Sequence, residues 1–425
     1  MARFLLSAMP FTGHVSPVRA VAEALSARGH DVRFYTGRAF ERGVEASGAR
    51  FVPWSHARDF DENDLTVTFP RLIGKKGISQ LLVNVADLFI GTAPGQFADL
   101  TAEWEREPWD VLAADEMSVG SAFFAEHTGV PWATAAVLPL NMMGPQGPPT
   151  GMGIVPGRNP VTRVRDALLR AVVPLMTGQI TKPLARARAE VGLPPSRRPF
   201  GESVFSTQLV TVGGCPALDY GRTDRPDWVH FVGRISLAAS PAADGDRLPS
   251  WWGDLEGRTV VHVTQGTQNI DPSDLLRPAI EALADRDVLV VAATGVPGND
   301  TLPFTVPGNV RVAGFLPYEQ LLPRVDVMIT NGGWGGTLAA LSHGIPLVIA
   351  GGDLDKPEIA SLVAWAGAGV NLKSGTPSAA KVATGVDRVM SGSGYRDAAA
   401  RVSAQLASLG GAPRAAELIE QLAVP

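Results

Sequence analysis

The sequence contains little of several things that would direct its interpretation elsewhere. Its 425 residues include one cysteine, Cys215, so no disulfide can form within the chain and a reducing cytoplasm is expected. The net charge is only −5, which gives no reason to expect nucleic acid or an anionic membrane as a partner. No apolar run approaches the roughly 20 residues that a membrane-spanning helix needs. These absences predict a soluble, cytoplasmic protein.

What the chain does have is length and regular apolar segments. The chain is too long to fold around one hydrophobic core of ordinary size, so two domains of roughly 200 residues are expected. Residues 3–9 form a predicted buried strand, Pro17 begins a predicted helix that Gly29 ends, and residues 31–37 form the next strand. This strand–helix–strand unit is typical of an α/β fold with a doubly wound parallel sheet.

A second series of alternating strands and helices follows a Pro-, Asp- and Ala-rich stretch at 236–253. We therefore predict two Rossmann-like domains that face each other across a cleft. The predicted divisions are an N-terminal domain at 1–220, a linker region at 221–253, a C-terminal domain at 254–405, and a C-terminal helix at 406–425 that is able to pack back on the N-terminal domain.

The most informative stretch is "NGGWGG" at 331–336, between a predicted strand and a helix. Glycines let the backbone approach a ligand closely, and the free N–H groups of a helix N-terminus suit phosphate. A tight turn without a ligand is the simpler interpretation of one such cluster. However, a second turn, "TQGTQ" at 264–268, ends the first strand of the same domain. Two such turns on one sheet edge predict a diphosphate site.

The ordered motifs of the whole chain resemble those of the family 1 glycosyltransferases, GT-B enzymes that glycosylate plant and antibiotic natural products. "MPFTGHVSP" is similar to the family's acceptor-side loop with its catalytic histidine, and "VRVAGFLPYEQLLP" resembles its base-stacking segment. The glycine-rich turn resembles its nucleotide-sugar signature. The resemblance implies a UDP- or dTDP-sugar donor, and it assigns donor binding to Thr267, Phe315, Asn331, Gly333, Trp334, Gly335, Gly336, Thr337, Asp355 and Lys356.

Three positions depart from the family pattern. The usual phosphate-contacting histidine is Asn331, the glutamine that meets the sugar is Lys356, and the glutamate that holds the ribose is Ala339. The side chain of alanine accepts no hydrogen bond from a ribose hydroxyl. Because this loss matters least for a donor that lacks one of those hydroxyls, a dTDP-sugar is as credible a donor as a UDP-sugar.

His14 is the predicted catalytic base. It follows the first strand, and imidazole has a pKa suited to removing a proton from an acceptor hydroxyl near neutral pH. A histidine that only caps a helix is the alternative, and the family loop around His14 favours the base. The resemblance makes Asp115 the residue that orients the imidazole, with Glu116 as its rival.

The acceptor pocket is assigned to the Gly-, Pro- and Met-rich segment 138–154, with Met142, Met143 and Met152 lining it and Phe11 beside it. Asp353 and Asp355 form a D-x-D pair, which in a different glycosyltransferase fold would hold a divalent metal; here we interpret Asp355 as an acceptor of hydrogen bonds from sugar hydroxyls. No metal and no cofactor other than the nucleotide-sugar are expected.

The predicted function is an inverting, metal-independent glycosyltransferase that acts on an apolar hydroxylated acceptor such as a polyketide, macrolide or flavonoid-like phenol. It would work as a monomer or homodimer. The alternatives are a nucleotide-sugar 2-epimerase of the same fold and a non-catalytic helper protein. A dinucleotide oxidoreductase is less consistent with the sequence, because "FTGHVSP" is not G-x-G-x-x-G.

Overall fold

Two parallel β-sheets organise the chain in the computed structural model, which describes residues 1–75, 77–144, 146–176, 178–237, 248–266 and 271–423. The N-terminal sheet has the strand order β3-β2-β1-β4-β5-β6-β7, and the C-terminal sheet has the order β10-β9-β8-β11-β12-β13. The predicted α/β fold with two doubly wound parallel sheets is confirmed. In chain order the described strands β1 to β13 are Arg3–Ser7, Asp31–Thr36, Arg50–Pro53, Val111–Ala114, Trp132–Ala136, Leu209–Gly213, Val229–Gly233, Val260–Thr264, Leu289–Ala293, Val310–Ala313, Val327–Thr330, Leu347–Ile349 and Gly369–Asn371.

Helices connect the strands and cover both faces of each sheet. The described α-helices α1 to α16 are Thr12–Ala27, Glu41–Glu45, Leu65–Thr68, Gly77–Val83, Ala93–Arg106, Val119–Thr128, Pro160–Met176, Gly178–Glu190, Phe200–Ser203, Leu276–Leu283, Tyr318–Leu321, Trp334–Ser342, Lys356–Trp365, Ala379–Met390, Gly394–Ser408 and Gly411–Glu420. A π-helical turn at Asn84–Ile90 lies between α4 and α5.

Each sheet reverses its winding direction at one point, and both of these points adjoin the cleft. In the N-terminal sheet β1 pairs with β2 on one side and β4 on the other, while in the C-terminal sheet β8 lies between β9 and β11. Ligands of such folds bind beyond the carboxyl ends of the strands at these switch points. The segments that follow β1, β4, β8 and β11 are therefore the ones positioned to meet a ligand.

Two sequence predictions are corrected by the structure. Helix α1 begins at Thr12 and contains Pro17 in its interior, so the stretch predicted as a loop is the first helical turn. The turn closes because the N–H groups of His14 and Val15 bond to the carbonyl of Phe11, so the helix is already formed before the proline removes one donor. Strand β7 belongs to the N-terminal sheet although it lies within the predicted linker 221–253.

One helical stretch, Ser79–Arg106, is long and apolar enough to cross a membrane by length and composition alone. In the structure it is divided among α4, the π-helical turn and α5. Leu88, Ile90 and Leu100 of this stretch are buried in the hydrophobic clusters of the N-terminal domain, so these three side chains have partners within the protein.

Helix α16 returns from the C-terminal domain to the N-terminal one. Its residues Ala415, Ala416 and Ile419 are fully buried in the same hydrophobic cluster as Val18 and Val21 of α1. The last helix of the chain therefore completes the core built around the first strand.

We expect Ile419→Ala to destabilise the N-terminal domain by about 2–4 kcal/mol, because it leaves a cavity between α16 and α1. Differential scanning calorimetry would show a lower Tm for the transition that includes this domain. Gln421→Ala, at an exposed position just after the helix, is the control and should change the Tm little. Equal Tm values for the two variants would show that α16 is not part of the core.

Candidate functional site

The site on the N-terminal side centres on His14 and Asp115. His14 lies in the first turn of α1, and Asp115 directly follows β4. Both residues are buried, and the His14 Nδ1 atom is 3.2 Å from the Asp115 Oδ2 atom. The contact does not meet the geometry of a regular hydrogen bond. The pairing nevertheless directs Nδ1 to the carboxylate and leaves Nε2 as the nitrogen that can accept a proton.

Asp115 is held in place by the backbone. Its Oδ2 atom accepts a hydrogen bond from the Met9 N–H at 2.6 Å, and its Oδ1 atom accepts from the N–H groups of Met117 at 2.6 Å and Ser118 at 2.9 Å. The end of β1 and the turn after β4 therefore fix a negative charge directly beside His14.

The electrostatic surroundings of His14 favour its protonated form. Burial disfavours the imidazolium, but the charges of Asp115, Glu116 and Asp355 outweigh it and raise the pKa of His14 above its ordinary value. Asp355 belongs to the other domain, so this influence shows that the two sides of the cleft lie close together at His14.

Glu116, the rival for the role of Asp115, points elsewhere. Its two carboxylate oxygens accept hydrogen bonds from the N–H groups of Val137 and Leu138, at 3.0 and 2.9 Å, where β5 ends. Burial, followed by the neighbouring charge of Asp115, raises the pKa of Glu116 to about 7. Of the two adjacent carboxylates, Asp115 is thus the one in contact with the imidazole.

Aromatic rings form a wall beside His14. The ring of Phe11 lies 5.6 Å from the imidazole between ring centres, and Phe89 lies 6.5 Å from it. Phe60 in turn packs on Phe11 at 5.1 Å. The predicted residue Phe11 is thus next to His14. Phe60 and Phe89 were not identified from the sequence, since an isolated aromatic residue in a polar stretch or an apolar helix gives no signal.

Two of the three methionines predicted to bind the acceptor line one cavity. Met142 and Met143 line a space of about 470 Å³ together with Trp228, Arg170 and Arg198. Met142 is buried in a hydrophobic cluster against which Phe89 also packs, so this region is continuous with the aromatic wall near His14. Met152 is 44% exposed and lies further along the same irregular segment.

On the C-terminal side, Asn331 ties together the two predicted phosphate turns. Its Nδ2 atom donates a hydrogen bond to the carbonyl of Gln265, at the end of β8, and its Oδ1 atom accepts from the Gly333 N–H at 3.3 Å. Gly332 has a φ of +91°, which few residues other than glycine adopt. The asparagine therefore organises the turn, and Thr267, predicted to act with it, lies outside the described residues.

The N-terminus of α12 is open where the diphosphate was predicted to bind. Gly333 provides the N-cap, and a Cβ atom added at Gly335 would meet nothing within 4 Å. A Cβ at Gly336 would contact only the methyl group of Met328, at 3.8 Å. The hydroxyl of Thr337 is buried without a hydrogen-bond partner. This helix end therefore presents N–H groups to an empty space that can take an anion.

The indole of Trp334 has a different role from its neighbours in the turn. Its Nε1–H donates to the carbonyl of Gly213 at the end of β6, at 3.0 Å, and its ring packs over Gly214. The side chain therefore joins the two domains and is directed away from the helix end. Ala339 is buried in the C-terminal core.

Asp355 and Lys356 lie at the start of α13, across the cleft from His14. Asp355 is the N-cap residue of this helix, and burial raises its pKa, while Lys356 and His14 lower it. The ammonium group of Lys356 is paired with Asp353 at 2.7 Å. Phe315, just after β10, is 67% exposed, so its ring is free to stack on a flat ligand. Within the described ranges, no group of three or more His, Cys, Asp or Glu side chains is arranged to hold a metal ion.

Comparison with known proteins gives consistent results. Residues 278–424 match the family model for the erythromycin biosynthesis protein CIII-like C-terminal domain. Over 424 residues the chain is 40% identical to 4'-demethylrebeccamycin synthase of Lentzea aerocolonigenes, covering 99% of both chains. It is 32% identical over 416 residues to UDP-glucosyltransferase B1 of Starmerella bombicola, covering 94% of this chain and 93% of that one.

Solved structures share the fold. The glycosyltransferase of kitacinnamycin superposes with a TM-score of 0.75 at 22% identity, covering 99% of both chains. The glycosyltransferase SsfS6 of Streptomyces sp. SF2575, complexed with thymidine diphosphate, superposes with a TM-score of 0.66 at 22% identity, covering 99% of this chain and all of that one.

We expect the pKa of His14, followed by NMR of the histidine ring, to lie above about 6.5 and to fall in Asp115→Asn, which removes the largest cause of the rise. Because the folded-state pKa is the higher one, this pair contributes stability below about pH 6.5 that is lost as pH rises through the folded-state pKa. His14→Gln identifies the signal. An unchanged pKa in Asp115→Asn would contradict the assignment of the pair.

Proposed function

Because the chain belongs to the family 1 natural-product glycosyltransferases with the GT-B fold, we propose that it is an inverting, metal-independent enzyme. In this proposal it transfers a sugar from a UDP- or dTDP-linked donor to a hydroxyl group of an apolar acceptor. The observation that carries the proposal is the position of His14. The histidine is backed by a buried carboxylate, bordered by aromatic rings, and faces Asp355 of the donor domain across the cleft.

His14 acts as the general base. Its neutral Nε2 atom takes the proton of the acceptor hydroxyl as the oxygen attacks the anomeric carbon, and the bond from that carbon to the diphosphate oxygen breaks. The two electrons of the broken bond leave with the diphosphate. Attack opposite the leaving group inverts the anomeric configuration, and Asp115 stabilises the imidazolium as it forms.

The leaving diphosphate is stabilised by the C-terminal domain. N–H groups around Gly335 and Gly336 and the partial positive charge of the α12 N-terminus lie where negative charge develops, and Thr337 offers an unpaired hydroxyl. These donors are the reason for proposing that no metal is needed. Phe315 stacks on the base and Asp355 accepts hydrogen bonds from the sugar.

The acceptor is proposed to be a largely apolar natural product. The aromatic wall of Phe11, Phe60 and Phe89, and the cavity at Met142 and Met143, offer contact area for flat or bulky rings. The relative in Lentzea aerocolonigenes is named for rebeccamycin formation, and the relative in Starmerella bombicola for glucose transfer from UDP. We propose either UDP or dTDP as the donor nucleotide, because one relative is named for UDP and the structure of SsfS6 contains thymidine diphosphate.

The two alternatives are not favoured. A helper protein with a decayed site has no need for the His14–Asp115 pair, which is intact here. A 2-epimerase requires carboxylates arranged for sugar chemistry, whereas the buried carboxylates Asp115 and Glu116 serve the imidazole and the end of β5.

A screen of UDP- and dTDP-sugars against aromatic and macrocyclic alcohols, read by mass spectrometry in excess EDTA, tests the proposed function. We expect transfer by the wild type, and a loss of about 10²–10⁴ in rate for His14→Ala with nucleotide binding nearly intact. The acceptor should be an alcohol, because an acidic phenol ionises unaided. Activity that EDTA abolishes and Mg²⁺ or Mn²⁺ restores would refute the metal-independent mechanism, and full turnover by His14→Ala would refute the base.

Variants of the donor side should fail in different ways. Asp355→Ala should impair transfer yet bind free UDP or dTDP as the wild type does, because the free nucleotide has no sugar to lose. Phe315→Ala should weaken nucleotide binding by roughly 1–3 kcal/mol through lost stacking. Gly335→Val should weaken it by filling the open space at α12, while Gly394→Val, at the first residue of α15 where a Cβ would also meet nothing within 4 Å, serves as the control. Isothermal titration calorimetry measures each, and equal losses of free-nucleotide affinity in all four variants would contradict these assignments.

A further inference from the structure

The irregular segment between β5 and α7 leaves its own domain and contacts α13 of the other. At Gly153 both backbone polar groups are engaged by that helix. The Gly153 N–H donates to the Glu358 Oε2 atom at 2.7 Å, and the Ser361 hydroxyl donates to the Gly153 carbonyl at 2.7 Å. We call Glu358 and Ser361, together with Gly153, the loop clamp.

The clamp accepts only glycine at this position. Gly153 has a φ of +65°, and a Cβ atom there would lie 2.8 Å from the Pro357 carbonyl oxygen, closer than such atoms approach. Five residues further along, the guanidinium of Arg158 lies over the ring of Trp365, near the end of the same helix, at 4.2 Å. The segment therefore follows α13 along its length.

Holding a loop through a buried carboxylate such as that of Glu358 costs free energy of folding. The Glu358 carboxylate is buried, and among the described residues it forms no ion pair. Burial raises its pKa, and the N–H of Gly153, the hydroxyl of Tyr220 and the N–H of Gly151 partly offset that rise. Burying a charge against neutral donors costs stability relative to an apolar contact. Overall stability alone therefore does not account for this residue, whereas its bonds to amides of the loop do.

The loop clamp lies between the predicted donor-sugar site and the predicted acceptor cavity. Glu358 lies one helical turn after Asp355, the residue proposed to hold the sugar, and the clamped segment includes Met142 and Met143 of the acceptor cavity. We propose that Glu358 is a positioning residue, which fixes the acceptor loop against the helix that carries the sugar-binding Asp355. This inference rests on the proposed roles of Asp355 and of the loop.

The clamp couples the two halves of the site. A donor sugar that steadies the first turn of α13 also steadies the loop, and by linkage an acceptor that orders the loop favours the donor. Loss of the clamp should consequently weaken acceptor use while leaving the affinity for a free nucleotide, which has no sugar, unchanged.

Hydrogen exchange of the segment around Gly153 tests the clamp without any substrate. We expect faster exchange in Glu358→Ala and Gly153→Ala, with partial rescue in Glu358→Gln, whose amide oxygen can still accept the bond. Gly147→Ala, on the same segment, is the matched control, since its φ of +74° imposes the same backbone strain but its Cβ would meet only the Pro156 ring, at 3.5 Å.

Kinetics with two substrates then separate positioning from structure. The acceptor KM of Glu358→Ala and Gly153→Ala should rise roughly ten- to a hundredfold, as expected for a lost hydrogen bond to a charged group, with kcat and the Kd for free UDP or dTDP changed much less. Equal exchange in Gly153→Ala and Gly147→Ala overturns the proposal, and so does faster exchange with an unchanged acceptor KM. A wild type that transfers no sugar counts against the proposed function instead, and exchange still decides the clamp.

Discussion

The N-terminal half of the site depends on the hydrogen bonds that hold the Asp115 carboxylate in place. Three backbone N–H groups, from the residue at the end of β1 and from the turn after β4, hold the carboxylate in one orientation. That orientation places a fixed negative charge beside His14 and sets which imidazole nitrogen faces the cleft. Because the donors belong to backbone that the parallel pairing of β1 and β4 already fixes, the site is formed by the sheet before any ligand arrives.

Local features of this molecule could be predicted from the sequence, whereas directions in space could not. The glycine-rich turn after β11 was recognisable because positive φ and close approach restrict the residue type at those positions. Asp115 and Glu116 are adjacent in sequence, so the choice of Asp115 rested on the family resemblance alone, and the fold shows that Asp115 faces His14 while Glu116 faces the end of β5. The start of α1 was misplaced because Pro17 is a stronger local signal than the bonds that close the first turn.

Contacts between domains were the least visible from the sequence. Trp334 is surrounded by glycines that suggest a ligand, yet its indole bonds to Gly213 of the opposite sheet. Glu358 gave no signal, since a glutamate in the first turn of a helix is common and ordinarily exposed. Both residues act over long sequence separations, and the partner of each is a backbone group, which leaves no trace in residue type.

The return of α16 to the first domain has a consequence for biosynthesis. A chain made from its N-terminus presents β1 and α1 to solvent long before Ala416 and Ile419 leave the ribosome, so the N-terminal core stays unfinished until α16 has been synthesised. The apolar surface of α1 is exposed throughout that interval, which is when a chaperone would have an apolar face to bind. Premature termination within the last helix would therefore damage the first domain to be synthesised, and an extension fused to the C-terminus would emerge beside the acceptor domain.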